Sequence, residues 1–200
     1  ADMYLGDDFH HNGAFRLSYA FEYAFMEEAS KVDTLFPFGV YDTYEWYLKL
    51  GPLSNVNAKH FHEKLPSWND FAKHPNYDEF WQARNLLPHL KKVAPAVMTV
   101  GGWFDAEDLY GAINTYQAIE KQNPGIYNVI VMGPWAHGAW SRSDGDRLGQ
   151  ARFGTQSGVW YRKEVELAFF EHFLRGQESK PPPEATVFDT GSNEWRSFAQ

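Results

Sequence analysis

The sequence predicts an α/β protein, because two strand-like runs each end in a glycine turn. The apolar run Ala94 to Val100 has strand length, Gly101 and Gly102 end it, and a helix-like run from Ala106 to Gln122 follows. Tyr127 to Met132 is a second, β-branched run that leads into another glycine-containing loop. Strand, sharp turn and helix is the unit from which α/β domains are built.

Polar residues follow both predicted strands. Asp105, Glu107 and Asp108 come after the first, and His137 comes after the second. Because α/β domains place reactive groups at the carboxyl ends of their strands, we expect Asp105 and His137 to be neighbours. Two structural alternatives stay open: Asp105 as a helix N-cap, with Asp108 completing a capping-like pair, and His137 as a loop residue bonded to the backbone.

Composition excludes several classes of function. The chain has 200 residues, 44% of them hydrophobic, and a net charge of −8. No basic cluster is present, so no nucleic acid and no membrane surface is expected as a partner. Without cysteine there is no disulfide, thiol nucleophile or cysteine metal site.

The first segment, residues 1–13, is polar and turn-like. Asp7, Asp8, His10 and His11 lie close together in it and suggest a metal site. We predict no metal there, because adjacent residues of an extended segment point to opposite sides.

Residues 14–92 predict a helical region. The predicted helices cover residues 14–30, Asp42 to Leu50, Ser67 to Lys73 and Tyr77 to Leu87, with polar or proline-containing connections between them. The many aromatic side chains of this region are expected to fill the core of a small helical domain, although some could line a substrate pocket.

The last part of the chain alternates loops with regular structure. A surface loop is expected from Gly138 to Gly154, and a long helix from Gly158 to Arg175, closed by Gly176. The triple proline in 177–183 predicts a linker. Beyond the linker, two strands, Ala185 to Asp189 and Trp195 to Phe198, are expected to form a hairpin.

The motifs GGWFDAEDLYG and VMGPWAHG resemble the acid and histidine motifs of one α/β-hydrolase family. It includes α-amino-acid ester hydrolases, glutaryl-cephalosporin acylases, cocaine esterase and X-prolyl dipeptidyl peptidases. The resemblance implies that Asp105 is the triad acid and His137 the general base, in the chain order of such triads. It also implies that Glu107 and Asp108, with Asp7 or Asp8, bind the substrate.

The implied fold is the C-terminal half of an α/β-hydrolase core with an inserted helical cap and the first strands of a β-sandwich domain. The implied domains are 1–13, an active-site loop of the core; 14–92, the cap; 93–176, the core with Asp and His; 177–183, a linker; and 184–200, the start of the β-sandwich. No serine lies in the G-x-S-x-x-G context of the family nucleophile. We therefore interpret the chain as a fragment of a larger enzyme, downstream of that serine.

The implied function is ester or amide hydrolysis through an acyl-enzyme, with α-amino-acid esters and β-lactams that bear an α-amino acyl group as substrates. The alternatives are X-prolyl dipeptidyl peptidase activity and a non-catalytic binding module. We expect a small-molecule ester or amide as the binding partner and no cofactor. The oligomeric state, including a homo-oligomer, and the cellular compartment stay open, and export to the periplasm fits the resemblance.

Overall fold

The computed structural model describes residues 1–6, 8–11, 13–176 and 180–199. They form two compact units, one of Met3–Arg84 and the other of Ala1–Asp2 with Asn85–Gln200. In the described part of the chain, no helix is both long and apolar enough to cross a bilayer.

The first unit is helical. Its elements in chain order are β1 His10–His11, β2 Ala14–Phe15, α1 Leu17–Glu28, α2 Thr43–Leu50, α3 Ser54–Val56, which continues as a π-helical turn Asn57–Phe61, α4 Pro66–Lys73 and α5 Glu79–Gln82. β1 and β2 pair antiparallel. We did not predict the helix that begins at Ser54, and the helix predicted from Tyr77 is confined to α5.

Aromatic side chains form the core of this helical unit, as predicted. Phe21 is fully buried and contacts the rings of Phe36, Phe61 and Trp68 at centroid distances of 4.8, 4.5 and 6.0 Å. Phe9, from the segment that the sequence assigned to the α/β core, is 2% exposed in this same cluster. Tyr4 and Phe9 of this segment therefore pack with the helices. The role of the unit as a cap stays a prediction.

The second unit is α/β. Its elements are a 3₁₀ turn Leu87–His89, β3 Val97–Gly102, α6 Leu109–Gln122, β4 Asn128–Gly133, α7 Ala139–Arg142, β5 Arg147–Leu148, β6 Ala151–Arg152, α8 Ser157–Trp160, a π-helical segment Tyr161–Glu166, α9 Leu167–Arg175, β7 Ala185–Asp189 and β8 Glu194–Phe198. The main sheet has the order β3-β4-β7-β8.

Strands β3 and β4 are parallel and in register along their whole length. Val97 lies opposite Asn128, and Gly102 lies opposite Gly133, so both strands end at the same level. Every residue of β4 is buried, which explains its continuous apolar sequence. Because the two turns start side by side, the residues that follow them are brought together.

The structure alters several of the predicted elements. β3 covers Val97–Gly102 and not Ala94 to Val100, because Gly101 and Gly102 pair with β4 instead of ending the strand. α6 begins at Leu109 rather than at Ala106, and the segment 138–154 contains α7 and the β5–β6 hairpin as well as loop. β7 pairs in parallel with β4, so the predicted hairpin extends the main sheet. Its assignment to a β-sandwich stays a prediction, and residues 177–179 of the predicted linker lie outside the described residues.

Replacing Gly102 with alanine should destabilise the α/β unit. A Cβ atom at residue 102 would lie 2.1 Å from the carbonyl oxygen of Trp135, and a backbone atom cannot move aside without shifting the turn. We expect Gly102→Ala to lower the free energy of unfolding by about 3 kcal/mol, the upper end of ordinary overpacking costs. Urea unfolding measures the loss. Gly191→Ala is the matched control, since its nearest neighbour is the flexible carboxylate of Asp189 at 3.2 Å; equal losses in both variants would contradict this account.

Candidate active site

Asp105 is held at the end of β3 by three hydrogen bonds. Asp105 is buried, with 7% of its surface exposed to solvent. Carboxylate oxygen Oδ1 accepts from the backbone N–H groups of Glu107 and Asp108, each at 2.9 Å, and Oδ2 faces the ring nitrogen Nδ1 of His137 at 3.0 Å. The Asp–His pairing is therefore present on Oδ2, and Oδ1 accepts from the turn that precedes α6. Asp105 is not the helix N-cap of the alternative, because that position is occupied by Asp108, whose side chain does not cap the helix. The helix begins only at Leu109, because the backbone of Asp108 is not helical, with φ −140° and ψ 41°.

His137 follows β4 in a turn that is itself anchored. Gly138 after it has a positive φ of 65°, a conformation that glycine adopts without strain. The Arg142 guanidinium donates to the carbonyl oxygen of His137. The imidazole is half exposed, with Nδ1 directed at Asp105. With Nδ1 paired to a carboxylate, Nε2 is the ring nitrogen left for proton transfer.

Main-chain hydrogen bonds join the two turns beyond the ends of the strands. The N–H of Trp103 donates to the carbonyl of Gly133 at 2.9 Å, and the N–H of Phe104 donates to the carbonyl of Trp135 at 3.1 Å. The pairing of β3 and β4 thus continues into the turns. It sets the distance between Asp105 and His137 through rigid backbone rather than through flexible side chains.

The Trp135 side chain anchors the turn that carries His137, a role that we did not anticipate from the sequence. Its side chain is 1% exposed, packs on Tyr161 at 5.3 Å, and donates from Nε1 to the hydroxyl of Ser157 at 2.9 Å. Ser157 donates onward to the carbonyl of Gly145 at 2.6 Å. A tryptophan two residues before the candidate histidine is the available signal, but the partners of this tryptophan lie too far along the chain to be predicted from the sequence.

Glu107 and Asp108 occupy different environments beside the Asp–His pair. The Glu107 carboxylate oxygen Oε2 lies 3.8 Å from Nε2 of His137, and its side chain is 34% exposed. Asp108 is half-buried, and its carboxylate covers Gly111 so closely that a Cβ there would lie 1.9 Å from Oδ1. Burial raises the pKa of the Asp108 carboxyl, and the negative charge of Asp105 acts in the same direction. Two carboxylates thus lie within 4 Å of one imidazole, and the third, Asp108, is next to them in the chain.

The two other candidates, Asp7 and Asp8, come from the first segment. Asp7 lies outside the described residues. Asp8 belongs to the helical unit, where its carbonyl oxygen accepts a hydrogen bond from Arg16 at 3.1 Å. Their assignment to substrate binding stays a prediction. No group of three or more His, Asp or Glu residues in the described ranges is arranged to hold a metal ion.

Comparison with known proteins places these features in a family context. Residues 1–139 match the model of the family described as X-Pro dipeptidyl-peptidase (S15 family). No curated protein matches the chain.

Two solved structures resemble the chain over nearly its whole length. An aminopeptidase from the marine sediment archaeon Thaumarchaeota archaeon has 33% identity and a TM-score of 0.92, with 100% of this chain and 33% of that chain covered. An α-amino acid ester hydrolase labelled with selenomethionine has 29% identity and a TM-score of 0.86, with 98% and 33% covered. This chain therefore spans about a third of the length of each.

Replacing Asp108 with asparagine should stabilise the fold at neutral pH. Since its pKa is raised, ionisation costs more in the folded than in the unfolded state, and wild-type stability falls as the pH rises from the usual value of 3.8 through the folded pKa. Asparagine does not titrate. We expect a gain of at most about 1 kcal/mol at pH 7, because water screens a half-buried charge, and none at low pH. Thermal unfolding at several pH values measures it.

Asp144→Asn, on an exposed loop, is the control for this measurement and should show no such pH-dependent gain. A lower unfolding temperature for Asp108→Asn at pH 7 would mean instead that Asp108 stabilises α6 through the helix dipole.

Proposed function

The chain belongs to the X-Pro dipeptidyl-peptidase (S15) family, and from that premise we propose that it supplies the acid and the base of a serine hydrolase acting on esters or amides. The observation that supports this proposal is the buried Asp105 carboxylate 3.0 Å from Nδ1 of the half-exposed His137. One nitrogen of the ring is fixed by a carboxylate and the other is accessible. That arrangement suits a general base that alternates with a general acid.

In this mechanism His137 transfers one proton twice. Nδ1–H donates to Asp105, which selects the tautomer with a lone pair on Nε2 and stabilises the imidazolium when it forms. Nε2 takes the proton from a serine hydroxyl as its oxygen bonds to the substrate carbonyl carbon. The same proton passes to the leaving alcohol or amine when the carbonyl–heteroatom bond breaks. A water molecule then hydrolyses the acyl-enzyme along the same proton route.

We propose that the nucleophilic serine lies on a part of the protein that this chain does not include. Among the described residues, no serine hydroxyl is hydrogen-bonded to His137, and the turn motif expected of the nucleophile is missing from the sequence. The covered third of each solved structure leaves room for such a segment.

We further propose that Glu107 and Asp108 bind the α-ammonium group of the substrate's acyl part. Carboxylates that share a partly closed site repel one another unless a cation lies between them. Glu107, at 3.8 Å from His137 Nε2, is close to the reacting atoms. Burial, and to a smaller extent the charge of Asp105, raises the pKa of the Asp108 carboxyl. A substrate ammonium would relieve this repulsion. An α-amino-acid ester, or a β-lactam with an α-amino acyl group, offers that cation.

Cleavage of a peptide near its amino terminus is the second candidate. It is supported by the family description and by the similar aminopeptidase. A peptide amino terminus is also an ammonium group, so the same carboxylates would bind it. Rates on an amino-acid ester, an ampicillin-like β-lactam and an X-Pro dipeptide amide separate the two candidates. A protein with no activity on any of the three would be the non-catalytic binding module.

Replacing Asp105 with asparagine should lower kcat of the full-length protein by about four orders of magnitude, because an amide holds the imidazole in the wrong tautomer. The measurement is steady-state hydrolysis of the best substrate. Asp78→Asn is a matched control, since Asp78 also pairs with a histidine, His74, at 2.7 Å, but in the helical unit. The control should keep wild-type kcat. More than about a tenth of wild-type kcat in Asp105→Asn would show that Asp105 only caps the turn.

Replacing Glu107 with glutamine, or Asp108 with asparagine, should lower kcat/KM for substrates with a free α-ammonium, because one partner of a desolvated charge pair is lost. The expected loss of transition-state stabilisation is on the order of 2–5 kcal/mol. The loss should be much smaller on a matched ester without the amine. Glu164→Gln, on an exposed helix surface, controls for removal of one negative charge. Equal losses on both esters would rule out ammonium binding and leave the Asp105–His137 assignment intact.

A further inference from the structure

Ser157 is a buried serine whose hydroxyl joins three segments of the α/β unit. The residue is 0% exposed and begins helix α8. Its hydroxyl accepts a hydrogen bond from Nε1 of Trp135 at 2.9 Å and donates one to the carbonyl oxygen of Gly145 at 2.6 Å. The turn after β4, the loop before β5 and the start of α8 therefore meet at one oxygen atom.

The three segments are packed so closely that the hydroxyl has little freedom to move. A Cβ atom on Gly145 would lie 2.5 Å from the Ser157 hydroxyl oxygen and 2.9 Å from Nε1 of Trp135. The N–H of Gly158 donates to the carbonyl oxygen of Asp144 at 3.0 Å and holds the loop against α8. Because interiors packed this tightly transmit strain, a change at this point is passed to its neighbours.

Trp135 contacts the ends of both strands that carry the candidate site. Its carbonyl oxygen accepts from the N–H of Phe104, the residue before Asp105, at 3.1 Å. Its ring packs on Gly133, where a Cβ atom would lie 2.5 Å from ring carbons, and its backbone leads in two residues to His137. A displacement of Trp135 would therefore reach the turns of Asp105 and His137 together.

We propose that Ser157 is a positioning residue for the Asp105–His137 pair, which it keeps aligned through Trp135. Ser157 acts on the reaction only through the tryptophan. The inference rests on the proposed function, in which His137 transfers protons and Asp105 fixes the imidazole. Such steps are sensitive to alignment, since a misplacement of about 1 Å can cost about a hundredfold in rate.

Replacing Ser157 with alanine in the full-length protein tests this role. The substitution leaves Nε1 of Trp135 and the carbonyl of Gly145 buried without their partner, so the ring is no longer fixed. We expect kcat on the best substrate to fall about tenfold and KM to change less than about twofold, because binding does not use this hydroxyl. The ring nitrogen chemical shifts of His137, which report the hydrogen bond from Nδ1 to Asp105, should also change.

A control variant separates positioning from general destabilisation. Val129→Ala removes buried apolar volume near the start of β4, at the other end of the strand from His137. It should lower the midpoint of urea unfolding, as Ser157→Ala does. Under conditions in which both variants are folded, Val129→Ala should keep wild-type kcat and wild-type His137 shifts.

A second pair of variants reaches the same contact from the loop. Gly145 and Gly149 both have left-handed backbones, with φ of 71° and 57°, so alanine is strained at both. A Cβ on Gly145 would meet Trp135 and Ser157, whereas one on Gly149 would meet no described atom within 4 Å. We expect Gly145→Ala to lower kcat about tenfold and Gly149→Ala to keep it. This pair decides the question even if Ser157→Ala does not fold.

The outcomes separate this inference from the proposed function. If Asp105→Asn lowers kcat but Ser157→Ala and Gly145→Ala keep wild-type kcat and His137 shifts, the positioning role is wrong and the acid–base assignment stands. A rise in KM at unchanged kcat in Ser157→Ala would assign the residue to substrate binding instead, and an equal loss of kcat in Val129→Ala would reduce the effect to stability. If Asp105→Asn keeps kcat, the proposed function fails, and the His137 shifts alone decide whether Ser157 positions the pair.

Discussion

The parallel, in-register pairing of β3 with β4 is the constraint on which the candidate site depends. Two parallel strands that end at the same level present their following turns side by side, and here main-chain hydrogen bonds continue the pairing to Trp135. The strand ends lie so close to Trp135 that only glycine fits at 102 and at 133. A Cβ atom at residue 102 would lie 2.1 Å from the Trp135 carbonyl oxygen, and one at residue 133 would lie 2.5 Å from the Trp135 ring. Asp105 and His137 therefore meet because backbone geometry brings them together.

A second constraint is electrostatic. Asp105, Glu107 and Asp108 concentrate negative charge beside a single imidazole, and part of that charge is buried. Such an arrangement opposes folding, since each carboxylate raises the cost of ionising its neighbours. The negative charge of Asp105 is stabilised by two backbone N–H groups and by His137. Asp108 is less well stabilised, since burial raises the pKa of its carboxyl. Sites that accept such a cost commonly serve function, and our proposal that these carboxylates bind a substrate ammonium rests on this cost.

Local features of the sequence predicted much of the fold. Helix α2 has Asp42 as its N-cap, which accepts from the Tyr44 N–H at 3.0 Å, and α9 ends at Gly176 in a left-handed conformation, both as the sequence indicated. Where prediction failed, a tertiary contact or a competing local bond was responsible. Residues 106–108 form a turn that closes on the Asp105 side chain and leaves Asp108 with a non-helical backbone, so no helix begins at Ala106. The aromatic cluster around Phe21 also includes Phe9, which comes from an otherwise polar segment.

By itself the sequence determined the strand–turn–helix units and the chain order of Asp105 and His137, because periodicity and turn chemistry act over a few residues. Only the tertiary structure decided which strand lies beside β4, that Ser157 supports Trp135, and that the Gly145 carbonyl accepts from Ser157. These contacts join residues far apart in the chain. They form because the packed arrangement buries apolar surface and satisfies polar groups as a whole, which no local pattern encodes.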